Sequence, residues 1–211
     1  MLEPQVDTPR GRFIVLDGVD GCGKSTQARH LVEALTRAGE PAPLHLREPG
    51  STPVGERLRE LVLDAALEID PGTEALLFCA ARRQLLVQQV APALAAGRPV
   101  VCERFHPSTF AYQAVAGALE EDAVLELLHA WSGDPAPDLV ILIETPPRTA
   151  AGRRLGTADR IEAKGLEFQE RVAAGYRRYA ERVPGTVVVD GTPSEEAVAA
   201  RILEEVHRAA G

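Results

Sequence analysis

Gly18, Gly23, Lys24 and Ser25 fall at G-x-x-x-x-G-K-[ST] spacing within GVDGCGKST, residues 18–26. Glycines let consecutive backbone N–H groups curl around an anion. A helix starting at the same point adds partial positive charge. The lysine can then reach outer phosphates, and the serine hydroxyl suits magnesium. The expected ligand is a nucleotide phosphate, held by Gly18, Val19, Asp20, Gly21, Cys22, Gly23, Lys24, Ser25 and Thr26. Cys22 sits between two glycines and reads as a small filler, although a helix N-terminus can also activate a thiol.

Cations and aromatic rings recur further along the chain. Arg47 precedes a Glu-Pro-Gly turn. Phe78 and Arg82 are four apart and share a helix face. Glu103-Arg104 ends an apolar run, where open α/β sheets bind ligands. Arg148, Arg153, Arg154 and Arg160 cluster between two predicted elements, with Gly152 and Gly156 as hinge candidates. A phosphate loop followed by further arginines suggests a kinase of small molecules. Phosphoryl transfer needs positioning and charge stabilisation more than a strong base. Taken singly, the same residues have plainer uses. Phe78 and Tyr112 suit a core, Arg82-Arg83 a solvated face and Ser108-Thr109 a helix N-cap.

These residues need elements to hold them. RFIVLD (12–17), PLHLR (43–47), PVVCE (99–103), DLVILIE (138–144) and TVVVD (186–190) are short, rich in Val, Ile and Leu, and bounded by Pro, Gly or Asp. Near-continuous apolar runs predict a parallel sheet covered on both faces. Helical patterns lie between them. Ala28, Leu31, Val32 and Leu35 form one stripe that stops at Gly39. A long stretch with a Thr73 N-cap is predicted to end at Gly97, and a last helix starts at Ser194 and carries Val198, Ile202 and Val206. The alternation predicts an α/β fold with a parallel five-stranded sheet flanked by helices, in three layers and one domain over 1–211. Residues 1–11 are expected to be a flexible tail and about 148–160 a lid.

The chain has 211 residues and a formal net charge of −8. An acidic chain has no global attraction for nucleic acid or anionic lipid, so neither is an expected partner. Three cysteines without a C-x-x-C pair suit a reducing compartment. The opening MLEPQVDTPRGR lacks an apolar run, and a cytoplasmic location is expected. The N-K-x-D signature of guanine-specific switches is absent from the sequence.

LDGVDGCGKSTQ, REPGSTPVGERLR, LLFCAARRQ, CERFHPSTFAYQ and GRRLGTADRIE occur in that order. Together they resemble thymidylate kinase, a P-loop nucleoside monophosphate kinase family that transfers the γ-phosphoryl group of ATP to dTMP with Mg2+. The resemblance implies roles residue by residue. Arg47 would hold the acceptor phosphate, Phe78 would stack on thymine and Arg82 would donate to its exocyclic oxygen. Arg104 would lie between the two phosphates, and Lys24 would reach the donor's. Ser108, Thr109, Tyr112 and Gln113 would line the acceptor site, with Tyr112 under the sugar. Asp20 would touch the deoxyribose and the reaction centre. Ser25 would ligate magnesium, and Glu103 would orient it through water. The phosphate loop has Cys22 after Asp20-Gly21 and offers no arginine. The resemblance therefore implies a bacterial-type lid donor, Arg153 first and Arg154 second, with Glu162 near the acceptor sugar or the metal. A homodimer is implied, through helices around 74–96 and 108–130. Two departures stand out. Glu103 replaces the family's usual Asp, and a Glu-Arg pair there also resembles deoxynucleoside kinases, which need a base for a nucleoside 5′-hydroxyl. Ser51 stands where glycine is common. A nucleotide-binding switch without an acceptor is the remaining alternative.

Overall fold

The computed structural model describes residues 10–153, 160–161 and 164–210. The five predicted strands form at β1 (Phe13–Asp17), β2 (Leu44–Arg47), β3 (Val100–Glu103), β4 (Leu139–Glu144) and β5 (Thr186–Asp190). They pair in parallel in the order β2-β3-β1-β4-β5. Strand periodicity divides β1 between two cores. Ile14 and Leu16 pack with Leu31 and Leu35 of α1 (Lys24–Arg37), Val172 of α8 (Gly165–Arg182) and Ile202 of α9 (Glu195–Arg208). Phe13 and Val15 face the other way, onto Leu85, Leu86, Leu94 and Phe105. The sheet is thus the middle of three layers.

Local chemistry starts and stops the helices. Ser194 caps α9 by accepting from the Ala197 N–H, as the sequence predicts. A helix not foreseen from the pattern, α2 (Pro53–Leu63), starts on the Thr52 hydroxyl with Pro53 in its first turn. The next helix, α3 (Pro71–Leu85), is capped by Asp70, not Thr73: the Asp70 carboxylate accepts from the Thr73 N–H at 2.9 Å. The stretch to Gly97 is not one helix either. Leu86–Val90 is π-helical and hands over to α4 (Ala91–Ala95). Pro92 has no N–H for the carbonyl four residues back, and the Ala91 N–H bonds Leu86 O instead. The 108–130 stretch divides in the same way. Short α5 (His106–Thr109) runs into a second π-helical turn, Phe110–Val115, whose exit is marked by the Ala116 N–H donating to Ala111 O at 3.0 Å. Then come α6 (Glu121–Ser132) and, after β4, α7 (Pro147–Arg153).

Of the expected 1–11 tail, only Arg10 and Gly11 lie within the described residues. The Gly11 N–H donates to Leu94 O at 2.9 Å, and Arg10 pairs with Asp138 at 2.8 Å, so both are docked on the body. No helix among the described residues is long and apolar enough to cross a membrane. Cys22, Cys79 and Cys102 are buried free thiols.

Candidate active site

A cleft of about 680 Å³ opens where the chain leaves β1, β2, β3 and β5. Parallel strands all point their C-termini to that side, so their connections converge there. The loop after β1 supplies Asp20, Gly21, Cys22, Gly23, Lys24, Ser25 and Thr26. Gly18 and Val19 sit beneath them against β4, outside the lining. Gly18 takes φ +146, and a Cβ there would stand 2.6 Å from Ile143 O, so only glycine fits. Lys24 Nζ lies 3.4 Å from Gly18 O, 3.3 Å from Val19 O and 3.2 Å from Asp20 Oδ1. Cys22 is buried, which pushes its thiol upward. Burial of this kind favours the small filler over the activated thiol.

Asp20 joins the two halves of the cleft. It pairs with Lys24 and Arg104 and accepts from the Tyr112 hydroxyl at 3.0 Å. Burial works against its ionisation, but Arg104 and Lys24 more than offset this and hold the carboxyl far below its usual range. The same partner, working against burial, lifts Arg104 well above its ordinary value. Arg104 has φ 68, a left-handed conformation that costs a non-glycine residue about 1–3 kcal/mol. It is anchored by its N–H on Leu16 O at 3.0 Å, while Nη1 donates to Ser108 Oγ at 3.0 Å. Its guanidinium lies 5.5 Å from the Tyr112 ring centre.

Beneath Arg104 is a carboxylate that the sequence reading passed over. Asp17 accepts from the N–H groups of Gly18, Phe105 and Ser108 and from the hydroxyls of Ser108 and Tyr176. Ser108 lines the cleft, but its hydroxyl is engaged with Asp17, Tyr176 and Arg104. Thr109 Oγ1 accepts from Arg82. Neither caps α5, whose first turn has no side-chain cap. Both hydroxyls serve to position arginines.

Glu103 reaches the loop despite its extra methylene. One oxygen accepts from the Ser25 hydroxyl and the other from His45 Nε2 at 2.8 Å. Burial raises the Glu103 carboxyl, but those two bonds and the neighbouring cations bring it below its ordinary value. His45, on β2, was not foreseen as a site neighbour. Ser25 and Glu103 are hard oxygen donors side by side, a set that fits magnesium carried on a nucleotide. Among the described residues no group of three His, Cys, Asp or Glu could hold a metal without such help.

The other half of the lining is Leu63, Phe78, Arg82, Thr109, Tyr112, Gln113 and Ile161. Phe78 is half-buried rather than sealed in the core. Arg82 is no solvated residue: only 2% of it is exposed, unlike its exposed neighbour Arg83. Its Nε donates to Glu48 Oε2 at 2.6 Å and its Nη2 to Phe105 O at 3.0 Å, while Nη1 is buried without a protein partner. Burial pushes the Glu48 carboxyl up to about 7 despite Arg82. Arg47 is exposed on the cleft wall. Ser51 takes φ 61 in place of glycine. Its hydroxyl accepts from the Arg47 N–H at 2.9 Å and donates to Arg47 O at 3.1 Å, which locks the turn under Arg47.

The lid arginines separate. Arg153 lines the cleft and donates to Gly191 O at 2.9 Å, on the β5–α9 connection. Arg148 is exposed on α7 and does not line the cleft. Arg160 is bound to Val62 O and Glu74 and is not among the lining residues, so it does not sit with Arg153. Arg154 and Glu162 lie outside the described residues, as does the Gly156 hinge candidate. Gln27, Pro193, Glu195 and Val198 complete the lining beside Arg153.

The family model for thymidylate kinase matches residues 16–202 of this chain. Among curated proteins, the chain is 43% identical over 209 residues to a thymidylate kinase of Dinoroseobacter shibae, covering 96% of this chain and 100% of that one. It is 42% identical over 209 residues to one of Ruegeria pomeroyi, covering 93% and 94%. It is 38% identical over 199 residues to one of Caldanaerobacter subterraneus, covering 93% and 95%.

Proposed function

This chain belongs to the thymidylate kinase family, and on that premise we propose that it transfers the γ-phosphoryl group of ATP to dTMP, giving ADP and dTDP. One observation carries the reading. A single cleft is lined both by a phosphate loop and by an aromatic-and-arginine pocket, with Arg104 and Asp20 bridging them. The loop N–H groups and Lys24 bind the donor phosphates. Phe78 stacks on the acceptor base, and the free Nη1 of Arg82 donates to it. Arg47 holds the acceptor phosphate, and Arg104 screens the approach of two anions that otherwise repel. Ser25 and, through water, Glu103 would hold Mg2+, which when bound neutralises charge on the donor phosphates. Arg153 supplies the transition-state cation by leaving Gly191 O as the lid closes, and closure excludes water as a rival acceptor.

A nucleoside kinase would use Glu103 as a base toward a 5′-hydroxyl. Both Glu103 oxygens already have partners in Ser25 and His45, which favours a positioning role. The protein acts as a homodimer, a reading supported by α3 packing on α6 with Leu76 and Trp131 left exposed there. It works in the cytoplasm, with no nucleic-acid or membrane partner. The test is ADP formation from Mg-ATP with dTMP, dUMP, dCMP, dAMP, dGMP, UMP or thymidine. Selective turnover of dTMP is expected. Turnover of thymidine but not dTMP would replace this reading with the nucleoside kinase, and acceptor-independent turnover would refute both.

A further inference from the structure

Glu74, Phe78 and Arg82 are four apart on α3 and share one face. Phe78 and Arg82 line the cleft, and Glu74 lies just behind them, 2% exposed. One Glu74 oxygen accepts from Gln113 Nε2 at 3.0 Å. The other accepts from Arg160, whose Nε and Nη2 also donate to Val62 O at 2.9 and 2.8 Å. A carboxylate paired in this way accepts and does not donate. The Gln113 amide therefore has one stable orientation. Its NH2 is committed to Glu74, and its carbonyl oxygen is the polar atom left for the cleft that Gln113 lines. Arg82 offers the opposite polarity, because its Nη1 is a buried donor without a protein partner.

We propose that Glu74 is a specificity-determining positioning residue. By fixing the Gln113 amide with its oxygen toward the bound base, it completes a donor-and-acceptor pair with Arg82. That pair matches a 4-oxo pyrimidine, which presents an acceptor at O4 and a donor at N3. A 4-amino pyrimidine presents the reverse and meets like polarity at both positions. The proposal rests on reading the cleft as a nucleoside monophosphate acceptor site.

Glu74→Gln tests it with almost no change of shape. Arg160 can only donate, so the introduced amide must turn its oxygen to Arg160 and its NH2 to Gln113. Gln113 then turns its own oxygen away from the cleft and presents NH2 to the base. The expected result is a fall of about tenfold or more in the dTMP:dCMP ratio of kcat/KM, carried by the acceptor KM, with the KM for ATP unchanged. Gln113→Met keeps the length of the side chain and drops both polar atoms. It should lower the ratio by itself, and adding Glu74→Gln to it should change nothing more. That second variant keeps the test decisive if Glu74→Gln proves unstable. A ratio within about twofold of wild type in either single variant overturns the proposal, as does a full Glu74→Gln effect in the Gln113→Met background. A wild type that turns over dTMP in those same assays keeps the acceptor reading intact. A wild type with no dTMP turnover overturns both.

Discussion

Gly175→Ala should injure stability and catalysis together. Gly175 lies on α8 where that helix crosses the π-helical turn Phe110–Val115. A Cβ at 175 would stand 2.7 Å from Ala111 Cα, 3.0 Å from its carbonyl oxygen and 3.1 Å from its Cβ. Carbon atoms settle at about 3.5–4.0 Å, so the two segments must part by about 1 Å. The obstructing atoms are mostly backbone, and no rotamer change relieves them. Overpacking of this kind costs about 1–3 kcal/mol. For a chain of this length that lowers Tm by roughly 2–12 °C. The next residue, Tyr176, lies 2.9 Å from both Asp17 Oδ1 and Ser108 Oγ, and Ser108 accepts from Arg104. A displacement of about 1 Å passed along that path should lower kcat about 10–100-fold. Thermal unfolding and steady-state ADP formation with dTMP measure the two effects. Gly152→Ala is the control, because a Cβ there meets nothing within 4 Å, and its Tm should hold or rise. An unchanged Tm for Gly175→Ala would refute the packing argument. A lowered Tm with normal kcat would refute the path from α8 to Arg104.

Arg104→Ala should lower kcat about 1000-fold or more with the fold retained by circular dichroism, and near-normal turnover would remove its role between the phosphates. Arg153→Ala should lower kcat while the KM for dTMP stays put; an unchanged kcat would pass the transition-state role to Arg154 or Arg148. His106 is buried, which holds its imidazole well below 6.5 and keeps it neutral in the native state. As pH falls below about 6.5 the unfolded chain takes up a proton that the native chain refuses, so stability falls by up to about 1.4 kcal/mol per pH unit. Urea unfolding at pH 7.5 and 5.5 should show this slope in wild type and lose that share of it in His106→Gln. Equal slopes would place the acid sensitivity elsewhere.

The strands were legible because each is an apolar run closed by a turn residue, and all five appear within a residue of their predicted bounds. The phosphate loop was legible because its spacing is itself the mechanism. Helix α2 was not, since the strand-to-helix turn around Gly50 and Ser51 masks the Thr52 cap. The break at Leu86–Val90 had a visible cause in Pro92, whereas the turn at Phe110–Val115 has no proline or glycine to announce it. Partners of the candidate site residues were the least legible. Asp17 reads as the polar end of β1, Glu74 as a first-turn acid and His45 as an edge-strand residue. Each acquires its role from a side chain more than 30 positions away, Ser108, Gln113 or Glu103, and no local pattern encodes that. Glu74 did carry one signal: it extends the Phe78–Arg82 face by another helical turn.

The wide turn at Phe110–Val115 also constrains how the gene can vary. Its exit bond, from the Ala116 N–H to Ala111 O, spans five residues rather than four. Losing any one codon inside it would restore ordinary α-helical register. Closing of the wide turn takes up the lost residue, so the helix beyond it would keep its facing toward Arg104 and α5, and only the residues inside the turn would be reseated. Tyr112 and Gln113 lie inside the turn, and a loss at or before 113 would pull one or both off Asp20 and Glu74. Losses at 110–113 should therefore be harmful, and losses at 114 or 115 far less so. A library of single-codon deletions scored for growth would show a window closed at 110–113 that reopens at 114 and 115.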